Sequence, residues 1–277
     1  MKEFKGRAKL IGYLVTGLVC LLILFPFVWM FINSIKTQID IYTGTLQFTP
    51  TLNNYDRVLF SKQSNFILNT RNSAFVAIGS TFLVMVVGTL AAYTLCRFKW
   101  ANWVVAGFLG WILIFHMIPA ITLVGPWYLT FRRVGLYNNL WGVLLAHITL
   151  NLPLTIWLMM SFLQDVPKEL EEAALIDGCR HVEAFIRVTL PLAVPGLIAT
   201  GVLVFIFSWN EFSVALNLTA SQTATVPVGI ARFAQQYEIR HGEMAAASVL
   251  STIPAIILMF IGQRFIVRGL TFGALKG

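Results

Sequence analysis

Charged residues are scarce in this sequence, and their scarcity limits the class of protein that it can encode. Asp, Glu, Lys and Arg together make up 12% of the 277 residues, whereas soluble domains carry about 25%. Hydrophobic residues, by contrast, make up 57% of the chain. A soluble globular domain is therefore excluded, and the composition indicates an integral membrane protein.

The motifs of common catalytic and metal sites are also missing. The sequence contains no G-x-x-x-x-G-K-[ST] loop to hold a nucleotide phosphate, so ATP-driven work would need the ATPase of another polypeptide. Its three cysteines and four histidines lack metal-ligand spacing, which argues against a zinc site and against disulfides. No Ser–His–Asp set or carboxylate pair is present. We therefore predict neither catalytic residues nor a metal site.

Acidic residues are fewer than basic ones, and the formal net charge is +8. Nucleic-acid binding would require a basic groove interleaved with aromatic residues, and the sequence shows no such pattern. Lys and Arg also accumulate in the cytoplasmic loops of membrane proteins, where they set orientation. We therefore expect a lipid environment and no nucleic-acid partner.

Uncharged runs predict six transmembrane helices. A bilayer core of about 30 Å is crossed by about 20 apolar residues in a helix. The uncharged run at residues 100–131 is too long for one helix and contains Pro119 and Pro126. It is therefore divided into a third span and a short helix at the outer surface. The predicted spans are residues 11–31, 73–95, 103–121, 140–163, 195–216 and 245–266.

The basic residues predict which ends of these helices lie inside the cell. With the N-terminus inside, the inner segments hold twelve Lys and Arg residues and the longer outer segments hold eight. This bias favours an all-α membrane protein with both termini in the cytoplasm. Residues 1–277 are interpreted as one transmembrane domain, with a first span and outer loop in 1–66 and a five-span core in 67–277.

A polar segment at residues 164–194 separates the fourth and fifth predicted spans. Asp165 is a suitable N-cap and Pro167 suits a first turn, so a helix is expected over residues 168–176. Gly178 can end that helix in a left-handed conformation, and a second helix is expected over residues 181–189. The segment is therefore predicted to be a helical hairpin. A solvated amphipathic loop is the alternative interpretation.

The hairpin contains a pattern that resembles the coupling-helix signature of ABC-importer permeases. Its EAA triplet, turn glycine and final Leu-Pro match in register, and Val188 stands where isoleucine is usual. The tail at residues 262–277, the Trp-Asn-acidic-Phe segment at 209–212 and the Val-Pro-Val-Gly segment at 226–229 are similar to the carbohydrate-uptake branch, and in particular to the smaller permease subunit of maltose importers. The matching residues of the hairpin are Glu172, Ala173, Ala174, Gly178, Leu190 and Pro191.

The resemblance implies a type I ABC-importer permease fold, with this chain forming half of a heterodimeric pore for a sugar or oligosaccharide. The implied partners are a second permease, two copies of an ATPase that bind ATP and Mg²⁺, and an extracytoplasmic solute-binding protein. The implied location is a bacterial plasma membrane, which the chain crosses several times. The residues expected to couple to the ATPase are Glu171, Glu172, Ala173, Ala174, Asp177, Gly178, Leu190 and Pro191.

Polar groups within the predicted spans are candidates for a substrate path, because such groups are costly in lipid and tend to face a cavity. Trp209, Asn210 and Glu211 combine an aromatic face with donors and acceptors for sugar hydroxyls. The alternative for these three is an anchor at the membrane interface. His116 and Asn151 lie deeper, and the alternative for both is hydrogen bonding between helices.

A stand-alone secondary transporter or channel is the rival interpretation of the whole chain. Such proteins usually carry intramembrane charges for ion coupling, or broken helices in internal repeats, and neither is evident in this sequence. A membrane enzyme lacks a catalytic set. Copurification with an ATPase would favour the importer, whereas transport by the chain alone would favour its rival.

Overall fold

The structure is a computed structural model that describes residues 2–234 and 239–272, with side chains for 9–234 and 239–265. Its described residues form helices and no strand. Lys276 and the rest of the tail motif at 273–277 lie outside the described residues. The helices are α1 (Lys2–Ser34), α2 (Gln38–Thr43), α3 (Asn53–Phe60), α4 (Phe66–Arg97), α5 (Asn102–Met117), α6 (Ala120–Arg133), α7 (Leu140–Gln164), α8 (Lys168–Ile176), α9 (His181–Ala184), α10 (Leu190–Leu192), α11 (Val194–Trp209), α12 (Ser213–Leu218), α13 (Val226–Ala231) and α14 (His241–Phe272), with a π-helical turn (Phe185–Thr189) between α9 and α10.

Four of the described helices are long and apolar enough to cross a membrane: α1, α4, α7 and α14. Two further apolar segments are bent pairs of helices. The first joins α5 to α6 at 94°, and the second joins His181–Leu192 to α11 at 75°. The described part of the chain therefore has four candidate spans, or up to six if each bent pair crosses the membrane once.

The predicted fourth span agrees closely with α7, but the third and fifth predicted spans extend too far. The third was expected to continue to residue 121, yet α5 ends at Met117 and Pro119 begins the bend into α6. The fifth was expected to reach residue 216, yet α11 ends at Trp209. The reason is that the Glu211 carboxylate accepts the backbone N–H groups of Val214 and Ala215, which starts α12 as a separate helix.

The described residues form two compact units. The described parts of Met1–Ile67 and Gly229–Ile253 make up the first, and those of Leu68–Val228 and Pro254–Gly277 make up the second. In the first unit, buried Glu243 pairs with Arg240 at 3.0 Å and with Arg57 at 3.6 Å. Asn54 donates to the backbone carbonyls of Ser34 and Lys36 and so holds the end of α1 against α3.

The second unit has two apolar clusters that share α7. One cluster packs the first half of α7 against α6 and α12, with Val143, Val124 and Val214 buried. The other packs the second half of α7 against α4, α5 and the π-helical turn, with Met159, Ile112 and Phe185 buried. Each cluster lies beside a group of buried polar residues, described below.

Candidate functional site

The first arm of the hairpin is α8, and its end is fixed by a Schellman motif. The N–H of Gly178 donates to the Leu175 carbonyl at 3.1 Å, and the N–H of Cys179 donates to the Ala174 carbonyl at 3.0 Å. Gly178 has a φ of +92°, a left-handed conformation that costs a side-chain-bearing residue about 1–2 kcal/mol. The glycine predicted to end this helix therefore does so. The turn is tight because two backbone bonds close it.

The start of α8 differs from the prediction. Asp165 was expected to be its N-cap, but Asp165 is instead the C-cap residue of α7 in a right-handed helical conformation. Pro167, with a φ of −56° and a ψ of 129°, occupies the N-cap position of α8 and makes no side-chain cap bond. Pro167 thus turns the chain through its fixed backbone angle, and the predicted role of Asp165 is wrong.

The second arm is not the regular helix that was predicted for residues 181–189. Only α9 is α-helical there, and the next five residues form the π-helical turn, closed by the Leu190 N–H donating to the Phe185 carbonyl. Pro191 has no N–H and could not donate an α-helical hydrogen bond. The wider turn therefore gives up no such bond at that residue. Single π-helical turns often occur at functional sites.

The two neighbouring glutamates of α8 lie in opposite environments. Glu171 is 5% exposed, whereas Glu172 and Ala173 are exposed. Around Glu172, the tip of the hairpin also exposes apolar side chains, among them Ile176 at 87% and Val182 at 67%. An exposed apolar group of this kind, rimmed by charge, is typical of a surface that another protein covers.

Glu171 is held by three side chains of the second unit. The Arg97 Nε donates to its Oε2 at 2.9 Å and the Thr189 hydroxyl donates to the same oxygen at 3.0 Å, while the Tyr93 hydroxyl donates to its Oε1. Arg97 also donates through Nη2 to the Val166 carbonyl at 2.9 Å. The Glu171–Arg97 ion pair is buried on both sides. We call these four side chains, with the Val166 carbonyl, the Glu171 cluster.

A second buried polar group surrounds Glu211. His147 lies with its Nε2 3.5 Å from the Glu211 Oε2 and its Nδ1 2.6 Å from the Ser208 hydroxyl. The Ser208 hydroxyl is 2.9 Å from that of Ser80 on α4. A series of neighbouring polar side chains therefore connects the loop after α11 to α7, α11 and α4. Its members are Glu211, His147, Ser208 and Ser80. We call it the Glu211 cluster.

Glu211 lies beyond the last residue of α11. Its carboxylate accepts the Val214 N–H at 2.8 Å and the Ala215 N–H at 3.0 Å. Burial raises the pKa of Glu211, but nearby His147 and the hydrogen bonds from these two amides lower it by more, so the pKa lies below its ordinary range. An ionised carboxylate here holds the loop and the start of α12 in place.

A comparison with protein families identifies the type of protein that carries these two clusters. Residues 84–272 match the model described as "binding-protein-dependent transport system inner membrane component". The chain belongs to this family. It is a permease component of an ABC transport system and not an enzyme, as the coupling-helix pattern and the absence of a phosphate-binding loop predicted.

Curated relatives of the permease agree over nearly its full length. It is 36% identical over 271 residues to the trehalose/maltose transport system permease protein MalG of Thermococcus litoralis, covering 97% of this chain and 96% of the relative. It is 39% identical over 258 residues to the trehalose transport system permease protein SugB of Mycobacterium tuberculosis, covering 92% and 93%. The predicted resemblance to carbohydrate-uptake permeases is confirmed.

Solved structures share the fold of the permease. A chain of a bacterial ABC transporter that imports the acidic polysaccharide alginate superposes with a TM-score of 0.76 at 23% identity, covering 92% of this chain and 95% of that one. A chain of the alginate transporter in complex with a periplasmic protein that carries an alginate pentasaccharide gives 0.72 at 15% identity, with 96% of each covered. At these identities the likeness concerns the fold alone.

The other predicted substrate-path residues of the permease differ in their exposure and in their hydrogen-bond partners. Trp209 is buried and stacks on Phe205, with ring centroids 5.6 Å apart. Asn210 is exposed and donates to the Ile206 carbonyl at 3.0 Å. Asn151 is buried and donates to the His147 carbonyl of its own helix, while His116 is exposed in the last turn of α5.

Sequence reasoning missed the residues that complete both clusters. In the sequence, His147 is marked only as one of four histidines without metal-ligand spacing. Arg97 counts there only as one of the basic residues of the inner segments, and no role is predicted for Tyr93 or Thr189. A signal was available for Arg97, since it is a charged residue at the end of the apolar helix α4.

Proposed function

We propose that the chain forms half of the translocation pore of a sugar importer and that its hairpin docks on a separate ATPase subunit. The exposed tip of the hairpin carries the proposal. Glu172, Ala173 and Ile176 present a charge, a small residue and an apolar residue on a turn held by the Schellman motif at Gly178. Interfaces combine buried apolar anchors with a charged rim in this way.

The proposed complex contains a second permease, two copies of the ATPase and an extracytoplasmic solute-binding protein. Six spans are proposed, with both bent pairs crossing a bacterial inner membrane, both termini in the cytoplasm and the hairpin on the cytoplasmic side. The excess of Lys and Arg in the segments that would then face inward supports this orientation. ATP and Mg²⁺ would be bound by the ATPase.

The substrate is proposed to be a sugar or oligosaccharide because the relatives at 36% and 39% identity carry trehalose or maltose in their names. Of the candidate path residues, Asn210 and His116 have the exposure that a contact with substrate requires. Glu211 and Asn151 would act behind Asn210, and Trp209 would become accessible only if the pore rearranged. His116 is proposed to face the pore or the second permease.

The docking proposal is tested with the complete transporter, purified through a tag on this chain. Ile176→Asp places a charge on an apolar residue that is 87% exposed, so the fold of the chain should survive. We expect the variant to lose the copurifying ATPase and to lose uptake. Leu46→Asp is the matched control, since Leu46 is 78% exposed in the segment between α2 and α3. Full ATPase recovery and uptake with Ile176→Asp would contradict the proposal.

The substrate class is tested separately by the stimulation of ATP hydrolysis. The solute-binding protein loaded with members of a sugar panel should stimulate the reconstituted transporter, and the same protein offered amino acids or inorganic anions should not. Stimulation by an amino acid but by no sugar would contradict a sugar importer while leaving the docking of the hairpin intact.

A further inference from the structure

We propose that the Glu171 cluster is the joint that fixes the hairpin to the end of α4, so that Glu171 transmits motion inside this chain while Glu172 contacts the ATPase. This inference rests on the docking role proposed above and assigns different tasks to the two acidic neighbours. Arg97, Tyr93 and Thr189 are positioning residues that act through Glu171.

The position of the cluster supports this role. One carboxylate, on α8, receives hydrogen bonds from two side chains of α4 and from one side chain of the π-helical turn. Arg97 adds a bond to the Val166 carbonyl, just before α8 begins. Both arms of the hairpin are thus tied to the same end of a single long helix, and a displacement of α8 cannot leave α4 unchanged without breaking an ion pair.

Aromatic packing strengthens the same connection. The Tyr93 ring lies 4.5 Å from the Phe185 ring of the π-helical turn, measured between centroids. Phe98, just after α4, packs edge-on against Tyr93 at 6.2 Å and against His181 of α9 at 5.7 Å. Interiors packed in this way resist compression and transmit displacement. The hairpin and α4 should therefore move as one body.

Burial explains why an ion pair suits this task better than an apolar contact. A buried ion pair adds little net stability compared with an apolar pair of similar volume, but losing one partner leaves an uncompensated buried charge and is costly. The Arg97 and Glu171 side chains are 6% and 7% exposed. The pair therefore favours one relative position of α8 and α4 over all displaced ones, which is the property that a joint requires.

The test uses the whole transporter in proteoliposomes, with single and double neutral variants. Glu171→Gln and Arg97→Gln should keep the copurifying ATPase, while sugar uptake per ATP hydrolysed falls about tenfold, a usual size for coupling between sites. The double variant Arg97→Gln/Glu171→Gln removes both buried charges, so it should recover stability but not coupling. Lys99→Gln, at an exposed cation two residues from Arg97, is the matched control.

Each result either supports or contradicts the joint. A purely structural pair predicts that the double variant regains uptake together with stability, and that result would overturn the proposal. Loss of the ATPase by Glu171→Gln, as expected for Ile176→Asp, would make Glu171 a docking residue and would also overturn it. If single variants fail to accumulate, the joint is tested with the double variant and with Tyr93→Phe. The Tyr93→Phe substitution keeps the ring but removes one hydrogen bond. Failure of docking itself is recognised independently, by retention of the ATPase with Ile176→Asp.

Discussion

Glu171 and Glu172 illustrate how one step along a helix separates two environments. Successive residues of an α-helix are rotated by about 100°, so adjacent glutamates of α8 cannot face the same surroundings. Glu171 turns toward α4 and is buried, and Glu172 turns away and is exposed. The same residue type therefore serves an internal contact at one position and, as we propose, an external contact at the next.

The hydrogen bonds of the Glu211 carboxylate predict the effect of Glu211→Gln. Glutamine keeps the shape but loses the charge, and its amide nitrogen cannot accept a backbone N–H. We expect the free energy of unfolding to fall by about 1–3 kcal/mol, measured as a lower thermal midpoint of the purified complex. Asn217→Ala, at an exposed residue of α12, is the control. An unchanged midpoint for Glu211→Gln would show that the cluster contributes no stability.

The left-handed backbone at Gly178 predicts that Gly178→Ala weakens docking through strain alone. An added Cβ would meet no atom within 4 Å, so the cost of about 1–2 kcal/mol comes from the backbone conformation. The Schellman turn should loosen, and the yield of copurified ATPase should fall. Gly135→Ala, at a φ of +74° and also in open space, introduces similar strain outside the hairpin. Equal losses from both variants would show that strain anywhere in the chain weakens docking.

One carboxylate of each cluster, Glu171 or Glu211, could be predicted from the sequence as a site residue, but its partners could not. The pattern around Glu172 and the acidic residue after Trp209 marked both regions. Arg97 and Glu171, however, are separated by 74 positions, and His147 and Ser208 by 61. Only the packing of α8 against α4 and of α11 against α7 brings these pairs together, and that packing leaves no periodic signal in a single sequence.

Among the helices, the length of an apolar run predicted the position of a span well, whereas the residues at which helices end were predicted poorly. Residues 140–163 were predicted as a span and α7 occupies Leu140–Gln164, since a long uncharged run has few alternatives to a helix. The end of α11 depends on the Glu211 carboxylate binding two amides, and the π-helical turn depends on Pro191 and on packing against Tyr93. Such tertiary contacts override the local helix propensity on which the predictions relied.

The contact between α7 and α11 predicts the effect of Gly196→Ala. A Cβ at Gly196 would overlap the Phe162 ring of α7, so the two helices must separate or the ring must move, at a cost of about 1–3 kcal/mol. We expect a lower thermal midpoint and lower yield of the complex. Gly107→Ala, inside α5 with no atom near its Cβ, should be neutral or slightly stabilising. A neutral Gly196→Ala would mean that Phe162 has another rotamer available at no cost.

For the whole molecule, the number of spans depends on the two bent pairs. Among the residues that the structure describes, four helices are long and apolar enough by themselves, and α5–α6 and α9–α11 bring the number to six only if each pair crosses once. The two possibilities differ in a property that can be measured. An even number of crossings between two positions leaves them on the same side of the membrane, and an odd number separates them.

We therefore predict that positions 63 and 221 lie outside the membrane and that position 176 lies inside. Three single-cysteine variants, Gln63→Cys, Ile176→Cys and Ser221→Cys, are made in a chain whose native Cys20, Cys96 and Cys179 are replaced by serine, and all three positions are exposed. With six spans, three crossings separate positions 63 and 176, and one separates 176 and 221.

A membrane-impermeant maleimide should label positions 63 and 221 in intact cells, and position 176 only after permeabilisation. If α5–α6 did not cross, positions 63 and 176 would be labelled from the same side. If α9–α11 did not cross, positions 176 and 221 would be labelled from the same side. The hairpin would then lie on the same side of the membrane as the outer loop at position 221, and it could not dock on a cytoplasmic ATPase.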